Sequence, residues 1–180
     1  MPTNLIKKYD SHLEINHLPE DKRTISLKAI FDRDINNDKQ ITFRDKIIRP
    51  LKKDGDVDME VLFSHLTNRT EDTYDDKGNV IKKRSVFDFE RSKRLHWILP
   101  HLKENINGAD IRVFSSNHRQ NGRNIKRTFI HNLSKNYVII LEPQRSGSDY
   151  YFITAYYLEK KYGGHKTIKN KYKNKLPEIY

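Results

Sequence analysis

An α+β fold, with N-terminal helices packed on one face of a four-stranded antiparallel sheet, is predicted by three features of the chain. Residues 125–161 hold its densest run of apolar and aromatic side chains, divided into strand-like segments rich in Tyr, Phe, Ile, Val and Thr. The links between those segments are short, as antiparallel hairpins require and crossovers do not allow. Ahead of them the apolar spacing changes from period two to the i, i+3, i+4 pattern of helices.

In order, residues 1–23 scatter Leu5, Ile6, Tyr9, Leu13, Ile15 and Leu18 as in a short amphipathic helix ending near Pro19. In TISLKAIFDRD, Leu27, Ile30 and Phe31 keep helical spacing. Thr42, with Asp45 three residues on, resembles a capping box, and Phe43, Ile47, Ile48 and Leu51 line one face of a helix running towards Lys53. Asp54, Gly55 and Asp56 break it. Helical spacing resumes through Met59, Leu62, Phe63 and Leu66, with Asp58 as N-cap. Residues 70–85 read as a polar hairpin turning at Asp75–Asn79, where Gly78 supplies positive φ. ERSKRLHWILPHLKENI then gives a helical stripe of Leu95, Ile98, Leu99 and Leu102, interrupted by Pro100.

The sheet follows. Asp110–Ser115 alternates as its first strand, Ser116–Asn124 reads as a long basic loop, and Lys126–Asn132, Asn136–Glu142 and Tyr150–Leu158 complete four strands. In the last, Tyr150, Phe152, Thr154 and Tyr156 point one way, and Tyr151, Ile153, Ala155 and Tyr157 the other. Gly163 and Gly164 break the chain before a lysine-rich tail. The expected organisation is an N-terminal helical segment (1–56), an α+β domain (57–162) and a basic C-terminal tail (163–180).

Charge narrows the function. Thirty-five Lys and Arg against 24 Asp and Glu leave +11, which favours polyanionic partners: nucleic acid first, an acidic membrane surface or acidic protein second. The absence of Cys excludes disulfides, a thiol nucleophile and cysteine-ligated zinc, and suits a reducing compartment. No apolar run approaches the roughly 20 residues of a membrane span, and MPTNLIKKYD lacks the apolar segment of a signal peptide. A cytoplasmic or cell-injected protein, with no membrane partner, is the expectation.

Two motifs carry chemistry. Asp34, Asn36, Asp38 and Asp45 fall at positions one, three, five and twelve of an EF-hand-like calcium loop. Lys39 replaces the turn glycine and Asp45 the bidentate Glu, which favours an ordinary acidic turn. Eight histidines supply groups that titrate near neutrality, but no HExxH or other i, i+4 pair marks a zinc site. Among them, His65 lies on a predicted helix just before the hairpin, and Lys93 precedes His96 by one turn, setting a cation beside an acid–base group.

The order of a segment carrying KRLHW, then four antiparallel strands ending in FITAYYL, resembles the phage and toxin nucleases grouped with barnase, EndoU, the colicin tRNases and RelE. The resemblance spans roughly residues 57–161, and its most specific piece is Phe152-Ile153-Thr154-Ala155-Tyr156, similar to the Thr-Ala-Tyr at the last strand of the phage branch. Lys93 and His96 resemble the Lys-x-x-His of the colicin D group, which gives Thr154 the strand-hydroxyl position.

Together these features imply a metal-independent endoribonuclease, without a cofactor, that cleaves by 2′-OH attack to a 2′,3′-cyclic phosphate. His96 or His65 serves as base or acid, Lys93, Arg94 and Arg127 as electrostatic stabilisers, and Thr154 and Tyr156 as phosphate or base contacts. Arg119, Arg123, Lys126, Arg145, Lys160 and Lys161 supply backbone affinity for RNA, with tRNA one candidate target. An acidic immunity or antitoxin protein is the expected protein partner. The rival expectations are a non-catalytic RNA- or DNA-binding module and an adaptor for an acidic protein.

Overall fold

In a computed structural model of the chain, the described residues are 3–36, 40–50, 52–53, 56–108, 110–120, 122–159 and 163–180, with only the backbone described at 52–53 and 56–57. A 3-10 turn at Thr3–Ile6 precedes α1 (Glu20–Asp34), which begins directly after Pro19 and buries Leu27, Ile30 and Phe31. The amphipathic helix expected before Pro19 is therefore replaced by that single turn and an irregular segment. Proline fixes φ for entry into a helix, and here it starts one instead of ending one.

Next come β1 (Thr42–Phe43), β2 (Lys46–Pro50), β3 (Lys52–Lys53) and β4 (Asp56–Val57). The helix expected from Thr42 towards Lys53 is thus overturned. Ile47 and Ile48 are β-branched neighbours, and strand pairing holds Phe43 and Ile48 in the core. Leu51, Asp54 and Gly55 lie outside the described residues. Then α2 (Met59–Thr67) starts as the spacing predicts: the Asp58 carboxylate accepts a hydrogen bond from the Val61 amide at 2.9 Å.

The polar hairpin forms as β5 (Asn68–Tyr74) and β6 (Val80–Phe87), closed by Asp75 Oδ1, which accepts from the Lys77 and Asn79 amides. The single interrupted helix expected over the Leu95–Leu102 stripe is three short pieces: α3 (Phe89–Ser92), a 3-10 turn at Leu95–Trp97, and α4 (Ile98–Leu102). The remaining strands are β7 (Ile111–Gln120), β8 (Arg123–Asn132), β9 (Tyr137–Pro143) and β10 (Asp149–Tyr157). Residues 116–120, 123 and 124, expected in a loop, are paired strand instead, in register from Ser116↔Arg127 to Gln120↔Arg123. The last helix, α5 (Gly164–Lys173), occupies most of the expected basic tail.

The four-stranded antiparallel sheet is corrected to a six-stranded mixed one, in the order β1-β2-β10-β9-β8-β7, beside the two-stranded ribbons β3-β4 and β5-β6. Its parallel pair is β2 with β10, in register from Asp149↔Ile47 to Phe152↔Pro50 and pinned by an Arg49–Asp149 ion pair at 2.6 Å. The connection between them runs through most of the chain, a long-range pairing invisible to local spacing. Helices cover both faces. On one, residues of the N-terminal segment, α1, α2 and the 95–102 segment pack against Ile130, Ile139, Leu141, Phe152 and Ala155. On the other, Ile168 of α5 packs against Phe114, Phe129, Val138 and Ile140. Among the described residues no helix is long and apolar enough to cross a membrane.

Candidate nucleic-acid interface

The site is built where the parallel pair ends. Beyond Phe152, β10 has a bulge at Ile153 and no longer pairs with β2, and α2 takes up the edge. The His65 ring, in the last turn of α2, lies close enough to the Ile153 backbone to feel it electrostatically. Bulges re-aim side chains, and this one presents Thr154 to the end of α2: its hydroxyl lies 3.5 Å from the His65 carbonyl.

Two arginines converge on that same carbonyl. Arg91 Nη1 donates to it at 2.5 Å and lies 3.2 Å from Thr154 Oγ1. Arg84 Nη1, reaching across from β6, lies 3.4 Å from the same oxygen and donates to the Asn68 carbonyl at 3.1 Å. Burial lowers the pKa of both guanidiniums, and Arg91 lowers that of Arg84 further. Asp88 Oδ2 stands 3.7 Å from Arg91 Nε, beyond hydrogen-bond reach, and that buried nitrogen has no hydrogen-bond partner. Among the described residues no carboxylate pairs with Arg84. A nearly buried Arg91, a half-buried Arg84, one weakly held carboxylate and a vacant donor make a place that favours an anion.

Beside Arg91 a cavity of about 570 Å³ opens, walled by Arg69, Thr70, Tyr156, Tyr157 and Thr167, with Asp88 and Glu159 as its acidic lining. The Arg91 guanidinium lies 5.6 Å from the Tyr156 ring centroid. Burial raises the Tyr156 phenol above its ordinary pKa, so it holds its proton at neutrality. His65 is shifted the other way: burial, Arg84 and Arg91 lower it, and it is neutral at pH 7. Arg127, on the same sheet face, is within electrostatic range of Tyr156 and is held by Glu142 at 3.5 Å and Gln120 at 2.8 Å.

The structure therefore brings His65, Thr154 and Tyr156 together, and separates them from Lys93, Arg94 and His96. His96 is 3 % exposed, its Nε2 3.2 Å from the Lys8 carbonyl, and burial presses its pKa down to about 4. The N-terminal segment seals it: the Leu13 amide bonds the Lys93 carbonyl at 2.9 Å, and Trp97 Nε1 bonds the Ser11 carbonyl at 2.8 Å. Lys93 and Arg94 both pair with Glu90, at 2.7 and 2.8 Å, and Arg94 is buried against Tyr157.

Arg123, Lys126 and Arg145 meet Lys46 around a second hollow of about 540 Å³, between the β7–β8 and β9–β10 turns. Arg119 is exposed near the β7–β8 turn, and Lys160 and Lys161 lie outside the described residues. Of the calcium-loop residues, Asp34 is buried and paired with Arg33 at 2.6 Å, Asn36 bonds Asp32 at 3.0 Å, Asp45 is exposed, and Asp38 lies outside the described residues. No group of three metal-binding side chains occurs among the described residues.

Arg84 and Arg91 do not follow from the motifs, yet Arg91 left a trace. It lies four residues before Leu95 and seven before Ile98, an arginine on an apolar stripe. Buried cations are rare enough to mark sites. No family model, curated protein or solved structure matches the chain.

Proposed function

We propose that the protein is a metal-independent endoribonuclease whose reaction centre is the Arg91 cluster, with His65 and not His96 as its base. The observation that carries this reading is the convergence of Arg84 and Arg91 on the His65 carbonyl, beside Thr154 and Tyr156, with one carboxylate at 3.7 Å. In the proposed step the neutral His65 ring takes the 2′-OH proton, the P–O2′ bond forms and the P–O5′ bond breaks. Tyr156 gives its proton to the departing 5′-oxygen, and Arg91 and Arg84 hold the charge that builds on the phosphorane. Thr154 positions the phosphate. The exposed cations Arg119, Arg123, Lys126 and Arg145 bind the RNA backbone without reading sequence.

The burial of His96 favours a second reading: a basic module that binds RNA or DNA without cutting it. Incubation of the pure chain with total RNA in EDTA separates the two. Fragments ending in 2′,3′-cyclic phosphate, lost in Arg91→Gln and His65→Asn but retained in His96→Gln, support the enzyme. Binding that weakens with salt and yields no fragments supports the module. Growth arrest on expression, relieved by an acidic protein that binds the chain, would extend the enzyme reading to a toxin.

A further inference from the structure

The α5 helix has a hollow on each side. Gly164 and Thr167 line the cavity beside Arg91, whereas His165, Lys169 and Tyr172 line another, of about 320 Å³, over the start of β7 and the end of β8. This second cavity gathers Arg112 from β7, His131 from β8, and His165 and Lys169 from α5. We propose that it is a binding pocket for a phosphate dianion, taken either as the free ion or as a terminal phosphomonoester.

Three observations converge on an anion. First, His131 Nε2 is buried with no hydrogen-bond partner, and a buried ring nitrogen is costly to leave unpaired. The cavity beside it is where a partner would sit. Second, the cations are held apart from acids: among the described residues no carboxylate lines the cavity, and Asp110 is in electrostatic range of His131. Arg112 is steadied over the Tyr172 ring at 4.7 Å, which restricts its guanidinium without neutralising it. Third, His165 Nε2 is already bonded to the Leu158 carbonyl at 2.7 Å, so its Nδ1 is the end left for a ligand.

The same features limit the ligand. Two imidazoles without a third metal-binding side chain make a poor cation site among the described residues, and Arg112 with Lys169 repels a metal ion. A stacked base is disfavoured because the Tyr172 ring is already met by Arg112 and by Lys175, whose Nζ lies 4.4 Å from its centroid. What remains is a compact, multiply charged oxyanion. Burial first, then Arg112 and His165, lower the His131 pKa, and an arriving anion would offset the repulsion from those two and favour the protonated ring. Lys169, Arg112, Asp110 and His165 are the charged or titratable groups that face it. The pocket does not depend on the nuclease reading, since it shares no side chain with the Arg91 cluster.

The test is titration of the full chain with inorganic phosphate, followed by calorimetry and by the imidazole proton signals of His131 and His165. Phosphate binding, referred to the concentration of dianion at each pH, should tighten about tenfold from about pH 8 to about pH 6, and His131 should titrate at higher pH with phosphate present. Read at the His131 ring signal, Lys169→Gln, at an exposed position, should weaken binding about tenfold, and Arg91→Gln, which alters the other cavity, should leave that signal unchanged. A 5′-phosphorylated trinucleotide that binds as phosphate does, while its unphosphorylated form does not, identifies a nucleic-acid end as the source; binding of phosphate alone identifies the free ion. No binding at millimolar phosphate, or binding lost in Arg91→Gln and kept in Lys169→Gln, overturns the pocket.

Discussion

The two faces of the sheet are built from the same strands yet end as different surfaces. On the first, Tyr137, Ile139 and Leu141 of β9 meet a continuous lid made by the N-terminal segment, α1 and residues 95–102. On the second, Val138 and Ile140, one residue out of step, meet the ten-residue α5, with Tyr156 packed against the same cluster, and Arg127, Glu142, Thr154 and Tyr156 stay half-buried. Period-two alternation shares the strands equally between the faces; coverage decides which becomes core and which becomes chemistry. Histidines divide accordingly. His101, under the lid, donates through Nδ1 to the Trp97 carbonyl at 2.6 Å and accepts at Nε2 from Asn132 at 3.1 Å, so both nitrogens are used to hold the fold. His65, in the last turn of α2 at the margin outside that lid, is half-buried beside Arg84 and Arg91.

The largest effect that distinguishes the margin from the lid is on turnover. His65→Asn is expected to lower RNA cleavage about 10²–10⁴-fold, the usual loss on removing a general base, with an unchanged unfolding midpoint. An unaltered rate in a folded variant would erase the functional side of the comparison. Arg91→Gln is expected to cost about 10²–10³-fold, as for a donor aimed at developing charge, measured on the same substrate. Because burial and the two arginines hold His65 below the ordinary imidazole range, the rate should stay flat through neutrality and fall only on acidification past that range.

Under the lid the expected effect is on stability. His96 and His101 are held neutral, with pKa values of about 4 in the folded chain, while the unfolded chain binds protons from about pH 6.5 downwards. Their contribution is therefore complete above about pH 6.5, is lost as the pH falls towards about 4, and amounts to roughly 3 kcal/mol for each imidazole. Urea unfolding across that interval measures it. His96→Gln should flatten the acid limb while leaving RNA cleavage within about twofold of the parent. Loss of cleavage there would move the reaction centre back to the lid. The smallest effect is expected at Lys93, whose partly exposed ion pair with Glu90 should change stability by less than about 1 kcal/mol in Lys93→Gln.

Local signals were legible wherever the cause of a structure lies within a few residues. The Asp58 cap, the turn at Asp75–Asn79 and the alternation of residues 126–132 and 137–142 belong to that class, whereas the bulge at Ile153 overturns the strict alternation expected over 150–157 and puts Phe152 and Ala155 on one face, Ile153 and Tyr156 on the other. The Thr42 to Pro50 stretch was not legible, because its helix-like spacing is overridden by pairing with residues a hundred positions away. The polar residues 116–120 have the composition of a loop, and as strand they need only backbone partners, which Arg123 to Arg127 of β8 supply. The pairing of Thr154 with His65 was likewise hidden. Their meeting depends on where β2 stops and α2 begins.

Composition and spacing alone determined that this chain is strongly basic and that its main run of strands lies in the second half. These properties are summed over residues or repeat along the chain, so no fold is needed to read them. Only the tertiary structure decided which cations escape carboxylate pairing and which histidines are sealed. A charge or an imidazole acquires its character from the dielectric and the partners around it, and those are brought together by segments far apart in the chain.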